Sequence, residues 1–218
     1  MKAFSQFWLL SCAILSLIIA LSSAANGVAF AFNHYAASQF LVSKDIPGSR
    51  REAILAQRFA TRLAPLEAGF HFQNAFFLDS QLCRQSDSTC DTQMVNLKEA
   101  IRLRPYWPFA WQRYAESCAA IGDLPCSLAA LREAWYFGAN ERKVRQAALR
   151  IGLLHWPLLV AEDRAFFLEV IESVRNHDTK LLAQVADETG AAELLQALTD
   201  TAAQTEAPWV LIDPPREN

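Results

Sequence analysis

The chain has 218 residues, of which 52% are apolar and 20% charged, with a formal net charge of −3. That composition supports a buried core and excludes a disordered tail, and the slightly acidic balance argues against a nucleic-acid binder, which carries a strong basic bias. Seven glycines and nine prolines are too few for an all-β chain, which needs a turn about every ten residues.

The N-terminus sets the compartment. After Lys2, the stretch Phe7–Ala25 carries no charge, and none appears between Lys2 and Lys44. As a helix, that stretch reaches about 28 Å, close to the hydrocarbon thickness of a bilayer. With the α-amine and Lys2 as the only early positive charges, the positive-inside rule puts the N-terminus in the cytoplasm and the rest of the chain across the membrane. Residues 1–32 therefore read as a single-pass anchor, with Phe30, Phe32 and Tyr35 as an interfacial aromatic belt, and 33–49 as a linker. A cleaved signal peptide is the competing reading, with Ser22-Ser23-Ala24 or Ser23-Ala24-Ala25 as its small-residue site. A lipobox ending at Cys12 is a third, but the apolar run before it is too short.

Cys12 lies inside the apolar run. The other four cysteines form two close pairs, Cys83/Cys90 and Cys118/Cys126. An even number in an exported chain points to disulfides; small buried thiols with no bond between them are the plainer alternative. Spacings of seven and eight do not match zinc knuckles, and no histidine is near, so neither a metal nor a cofactor is expected.

From residue 50 to 203 the apolar positions recur at three and four, as in Ile54, Leu55, Phe59 and Leu63, and later Leu128, Leu131 and Trp135. That period predicts helices over 50–64, 67–82, 91–104, 107–121, 124–138 and 141–154. Beyond the break at His155-Trp156-Pro157, helices near 162–176, 178–188 and 190–203 follow. In Pro108–Asn140, counting Pro108 as position 1, Ala115 falls at 8, Ser127 at 20 and Ala134 at 27. These are small because two antiparallel helices approach most closely there. Gly122-Asp123 turns the chain, and Pro125 sits in the first turn of the next helix, where its missing N–H costs nothing. The pattern closely resembles a tetratricopeptide repeat (TPR). Ala100 and Pro105 end the preceding repeat 34 residues earlier, and Ala60 and Pro65 end another. Pro65 to Pro105 is 40 residues; the six extra fall at Arg84–Thr89, bracketed by Cys83 and Cys90. A bond there would staple the insertion, worth up to about 2.5 kcal/mol; Cys118 and Cys126 bracket the next turn. The expected fold is all-α: an N-terminal transmembrane helix, a short TPR-like α-solenoid over 50–203 closed by a C-terminal helical cap over 141–203, and a Pro-rich tail over 204–218.

No P-loop, GxGxxG, GxSxG or HExxH motif is present. His34, His71, His155 and His177 are scattered, and His71 lies one repeat before Trp111 as a packing or groove residue. No catalytic residue is assigned. In proteins of the repeat type, the concave face is lined by positions 2, 5, 9 and 12 of each first helix. The resemblance thus implies a partner-binding groove of Phe72, Phe76, Asp79, Phe109, Gln112 and Glu116, with Trp107 as the exposed tryptophan beside it. Core packing is the plainer reading for Phe72 and Phe76. Such a mixed face suits a peptide or an amphipathic helix.

The segments RFATRLAPLEAGFHFQNAFFLDS and LRPYWPFAWQRYAESCAAIGD, with a short single-pass N-terminus and a small repeat body, resemble the VpsP-type exopolysaccharide biosynthesis proteins of Gram-negative bacteria. The insertion at 83–90 departs from that pattern. The resemblance implies a non-enzymatic periplasmic scaffold at the inner membrane, partnered by a protein of a polysaccharide synthesis or export complex. A scaffold for pilus, secretion or cytochrome assembly has the same sequence texture. A glycan-acting enzyme is a third reading, and it would need clustered carboxylates in a cleft.

Overall fold

A computed structural model of the chain describes residues 2–42, 47–78 and 87–205. Among these residues every extended element is a helix: α1 Lys2–Val42, α2 Pro47–Leu63, α3 Ala68–Phe77, α4 Asp87–Leu103, α5 Pro108–Ala120, α6 Leu124–Gly138, α7 Arg142–His155, α8 Ala161–His177, α9 Thr179–Thr189 and α10 Ala192–Thr205. A short 3₁₀ turn at Trp156–Leu158 interrupts the run, where Pro157 breaks the helical period. The chain divides into two compact units, one ending at Ala130 and the other beginning at Leu131.

The first unit departs from expectation at its start. Residues 33–42 were read as part of a linker, but α1 continues through them unbroken to Val42. The reason is packing. From Ser11 to Val28 no residue of α1 is buried, whereas Ala29 and Ala36, two turns apart, are both fully buried. Ala29 packs with Ala60, Ala64 and Phe70, and Ala36 with Ala56 and Phe77. Phe32 meets Phe59 at 4.7 Å between ring centroids. These pairs run in opposite order along the two helices, so α2 lies antiparallel to α1 and returns along it.

The last turns of α1 are thus the first helix of a repeat. With Ala36 as position 8, and allowing five extra residues between positions 8 and 20 in the first repeat and six in the second, the three repeats place Ala36, Ala53 and Ala60, then Ala75, Gln93 and Ala100, then Ala115, Ser127 and Ala134 at positions 8, 20 and 27. All nine are fully buried. Gln93 is the one large residue in the set. Its side-chain Nε2 donates to the Ala75 carbonyl at 3.1 Å, which ties position 20 to position 8 of its own repeat, while its Oε1 is buried without a partner. A second repeated bond fixes each pair to the one before. His71 Nε2 lies 2.9 Å from the Pro65 carbonyl oxygen, and one repeat later Trp111 Nε1 donates to the Pro105 carbonyl at 2.7 Å.

Local signals place the helix ends. Glu67 caps α3 through the Gly69 N–H, and Pro108 opens α5. Between α5 and α6, Gly122 has φ of +81°, a conformation glycine adopts without penalty. Asp123 then accepts the Cys126 N–H at 3.0 Å. Cys118 and Cys126 are joined across this turn. Cys90 is also in a disulfide; Cys83 lies outside the described residues.

The second unit holds α7 to α10, where a helical cap was expected. Its core is Val144, Ala148, Phe167, Val170, Val174, Leu181 and Val185, each no more than 1% exposed. Gly152 on α7 lets α8 approach closely: a methyl group there would fall on the Phe167 ring. Arg132 bonds Asp163 at 2.7 Å, Arg142 faces Asp178 at 3.3 Å, and Arg150 faces Glu188 at 2.8 Å. Asp178 also caps α9, accepting the Leu181 N–H at 3.0 Å. That backbone bond, helped by Arg142, holds its carboxyl below the usual range.

Two outcomes follow for this unit. Gly152→Ala overpacks the α7–α8 contact and should cost about 1–3 kcal/mol in a urea titration; a variant as stable as wild type would contradict the close approach. The Asp178 carboxyl is depressed in the folded state, so its contribution is present above the unfolded pKa and lost as pH falls through the folded one. Between about pH 6 and about pH 3, Asp178→Asn should therefore lose less stability than wild type, read as the shift in melting midpoint.

Candidate partner-binding face

The expected groove residues belong to α3 and α5, and the structure divides them. Phe72 meets Trp107 in a tilted ring contact, with centroids 4.6 Å apart. Both pack on a buried cluster of Ala100, Ile101 and Ala110. Trp107 is half-buried, and the Arg104 guanidinium lies 5.6 Å above it. These two rings join successive repeats. Gln112 is only 8% exposed, so it is an interior residue. Phe109 and Glu116 are half-buried. Asp79 lies outside the described residues.

Phe76 is the exposed aromatic of the set, at 42%. The Arg113 guanidinium sits 5.3 Å from its ring centroid, close enough for a cation–π contact. Arg113 is in turn paired with Glu116 at 3.1 Å. One chain of contacts, Phe76–Arg113–Glu116, thus crosses from α3 to α5. Arg113 Nε is buried and has no hydrogen-bond partner.

Three residues outside the expected set touch these side chains or share their register. Arg113 sits one position from Gln112 and is not at one of the face positions of the repeat type. Phe40 was assigned to a linker, yet it lies 4.6 Å from Phe77 and 5.8 Å from Phe76. Asn33, on the same helix, carries a buried oxygen with no partner. Counting α1 as a repeat helix puts Asn33 and Phe40 at positions 5 and 12, the same register as the residues expected from α3 and α5.

Behind this face, a polar core links α2, α3 and α4. His71 Nδ1 lies 3.3 Å from Asn96 Oδ1. The Asn74 amide donates to the same oxygen at 3.1 Å, and the Asn96 amide donates to the Thr92 carbonyl at 2.8 Å. Gln57 donates to the Phe70 carbonyl at 3.0 Å. These bonds fix the rotation of α3 between its neighbours, and so the direction in which Phe76 points. A cleft of about 630 Å³ opens beside the network, lined by Arg58, Thr61, Arg62, Pro65, His71, Asn74 and Thr92. Among the described residues no group of three or more His, Cys, Asp or Glu side chains could hold a metal ion.

Asn96→Ala removes the shared acceptor and leaves the Asn74 amide without a partner. The expected cost is about 1–3 kcal/mol, measured by urea unfolding. A cost near zero would show that the network does not hold α3.

No family model matches the chain, and no curated protein does. Among solved structures, the crystal structure of MamA protein superposes with a TM-score of 0.55 at 12% identity, covering 86% of this chain and 98% of that one. At that identity the likeness concerns the fold alone. MamA is a TPR-like helical protein, and its match runs across most of both chains. The chain has an all-α, TPR-like fold that carries one N-terminal helix long and apolar enough to cross a membrane.

Proposed function

We propose that the protein is a membrane-tethered TPR-like scaffold that holds a partner protein on the face formed by α1, α3 and α5. The observation that carries this reading is the continuity of α1. Its bare apolar half and its packed repeat half are one helix. A signal sequence also satisfies the length and hydropathy of the bare half. Cleavage after Ala24 or Ala25 would leave Ala29 and Ala36 in place, so the repeat body is complete in either case. Retention is favoured by the length of the uncharged run, and the early positive charge at Lys2 favours a cytoplasmic N-terminus with the body on the opposite, periplasmic side.

The partner face joins exposed apolar surface at Phe76 to a neutralised ion pair, Arg113–Glu116. That combination suits an amphipathic helix or an extended segment of a protein more than a small molecule. The resemblance to VpsP-type proteins extends the reading to an accessory role in exopolysaccharide synthesis or export at the inner membrane. The partner would then be a glycosyltransferase, polymerase or exporter of that complex.

The test is purification of tagged full-length protein from native membranes after mild crosslinking, beside Phe76→Ala and Arg113→Gln. Polysaccharide-assembly proteins should co-enrich with wild type and fall about tenfold in each variant, as expected for loss of a central contact, with melting midpoints unchanged. Retention of the partner by both variants would show that the face is wrong. Enrichment of pilus, secretion or haem-assembly proteins would remove the polysaccharide reading and leave the tethered scaffold. Gln112→Arg is not a clean test, because Gln112 is buried and the change would unsettle α5 itself.

A further inference from the structure

Two exposed apolar side chains occupy one register of the repeat. Leu66 follows Pro65 in the α2–α3 turn and is 78% exposed; Tyr106 follows Pro105 in the α4–α5 turn and is 76% exposed. The turns lie side by side, since Arg104 Nη2 of one is 3.1 Å from Glu67 Oε1 of the other. Neither side chain serves the core, and neither lies on the partner face.

Their position relative to α1 identifies what they meet. Because α2 runs back along α1, its C-terminal end reaches the level of Ala29, where Ala60 and Ala64 pack. Ala29 is four residues beyond Ala25, where the bilayer-length stretch Phe7–Ala25 ends, a rise of about 6 Å along the helix. The headgroup layer on each side of a bilayer is about 5–8 Å deep. If α1 spans the membrane, the α2–α3 turn and its neighbour stand in that layer. An exposed leucine and tyrosine at that depth match the interfacial preference of such side chains.

The charges agree. Arg62 is exposed in the last turn of α2, and Arg58 is exposed one turn earlier. Both line the 630 Å³ cleft that opens at Pro65. Arg104 is committed to Glu67, and Arg102 to Glu99 at 2.6 Å, a bond that holds the Glu99 carboxyl below its usual range. Arg58 and Arg62 are thus the cations on this edge that no described carboxylate neutralises. Asn74 also lines the cleft, and its Oδ1 is buried with no hydrogen-bond partner.

We propose that this edge docks on the bilayer surface, with Leu66 and Tyr106 seated among the headgroups and the Arg58–Arg62 cleft taking the headgroup of an anionic phospholipid. The proposal rests on the membrane-spanning reading of α1. It makes the repeat body lie against the membrane in one orientation rather than swing from a flexible tether.

The test uses the full chain in nanodiscs, with Cys12→Ser to remove the free thiol and an environment-sensitive fluorophore at one added cysteine. Sites are Leu66→Cys, Tyr106→Cys, Leu41→Cys at the far end of α1, and Leu17→Cys within the bare half. The readout is quenching by nitroxide-labelled lipid. Positions 66 and 106 should be quenched about threefold more than 41, as for interfacial side chains. In mixed micelles, Arg58→Gln and Arg62→Gln should each weaken phosphatidylglycerol binding about fivefold, the equivalent of about 1 kcal/mol per surface charge. Quenching at 17 with 66 and 106 as wet as 41 would overturn the docked edge and leave the tether standing. No quenching at 17 would overturn the spanning reading and this proposal with it. Phosphatidylglycerol binding unchanged in both arginine variants would overturn the headgroup site.

Discussion

The structure depends on one helix whose two halves present different surfaces. The bare half of α1 has apolar side chains on every side, with Ile14, Leu15, Leu17, Ile18, Ile19 and Leu21 all more than half exposed. A helix apolar all round is stable only where something apolar surrounds it. Two turns later the same helix narrows to a stripe of alanines, Ala29 and Ala36, that admits α2 at close range. No breaker separates the halves: Gly27 is the only glycine in α1 and there is no proline. The repeat body is therefore coupled to the apolar segment by helix geometry, not by a tether of free length.

The rest of the first unit inherits its orientation from that contact. α2 is antiparallel to α1, α3 returns beside both, and the His71–Pro65 and Trp111–Pro105 bonds carry the register forward one repeat at a time. Each repeat buries its face mainly against a neighbour. The end of α1 supplies the first helix of the first repeat, and α2 and α3 pack on it. The polar core of Asn74, Asn96 and His71 then sets the rotation of α3. An apolar core of the same volume would allow α3 more ways to pack, whereas a network of named donors and acceptors allows one.

Much of this was legible in the sequence. The small residues at Ala115, Ser127 and Ala134 fixed the repeat, and the helix bounds from α2 to α10 lie within a few residues of the periodicity, apart from α3, which ends at Phe77. The structure differs over 33–42, where a linker is expected after the apolar anchor and α1 continues as helix. The signal was present as Ala29 and Ala36, spaced seven apart like Ala68 and Ala75. It was hidden because the apolar run on its N-terminal side dominated the reading. The geometry of the candidate face was only partly legible. Register predicts which residues share a helix face, and Phe76 is exposed there and Glu116 half-buried, but register cannot say that Phe72 would spend its ring on Trp107, or that Gln112 would turn inward. Both depend on the distance between α3 and α5, which is a tertiary quantity.

Hydrogen exchange across residues 26–42 of the full-length protein in nanodiscs tests the central claim most directly. A continuous helix docked on α2 predicts slow exchange from Ala29 to Val42, matching α2 and joining without a break to the protected apolar segment. Exchange over 33–42 at the rate of an unstructured peptide would contradict it, and would return that segment to a flexible linker between membrane and body.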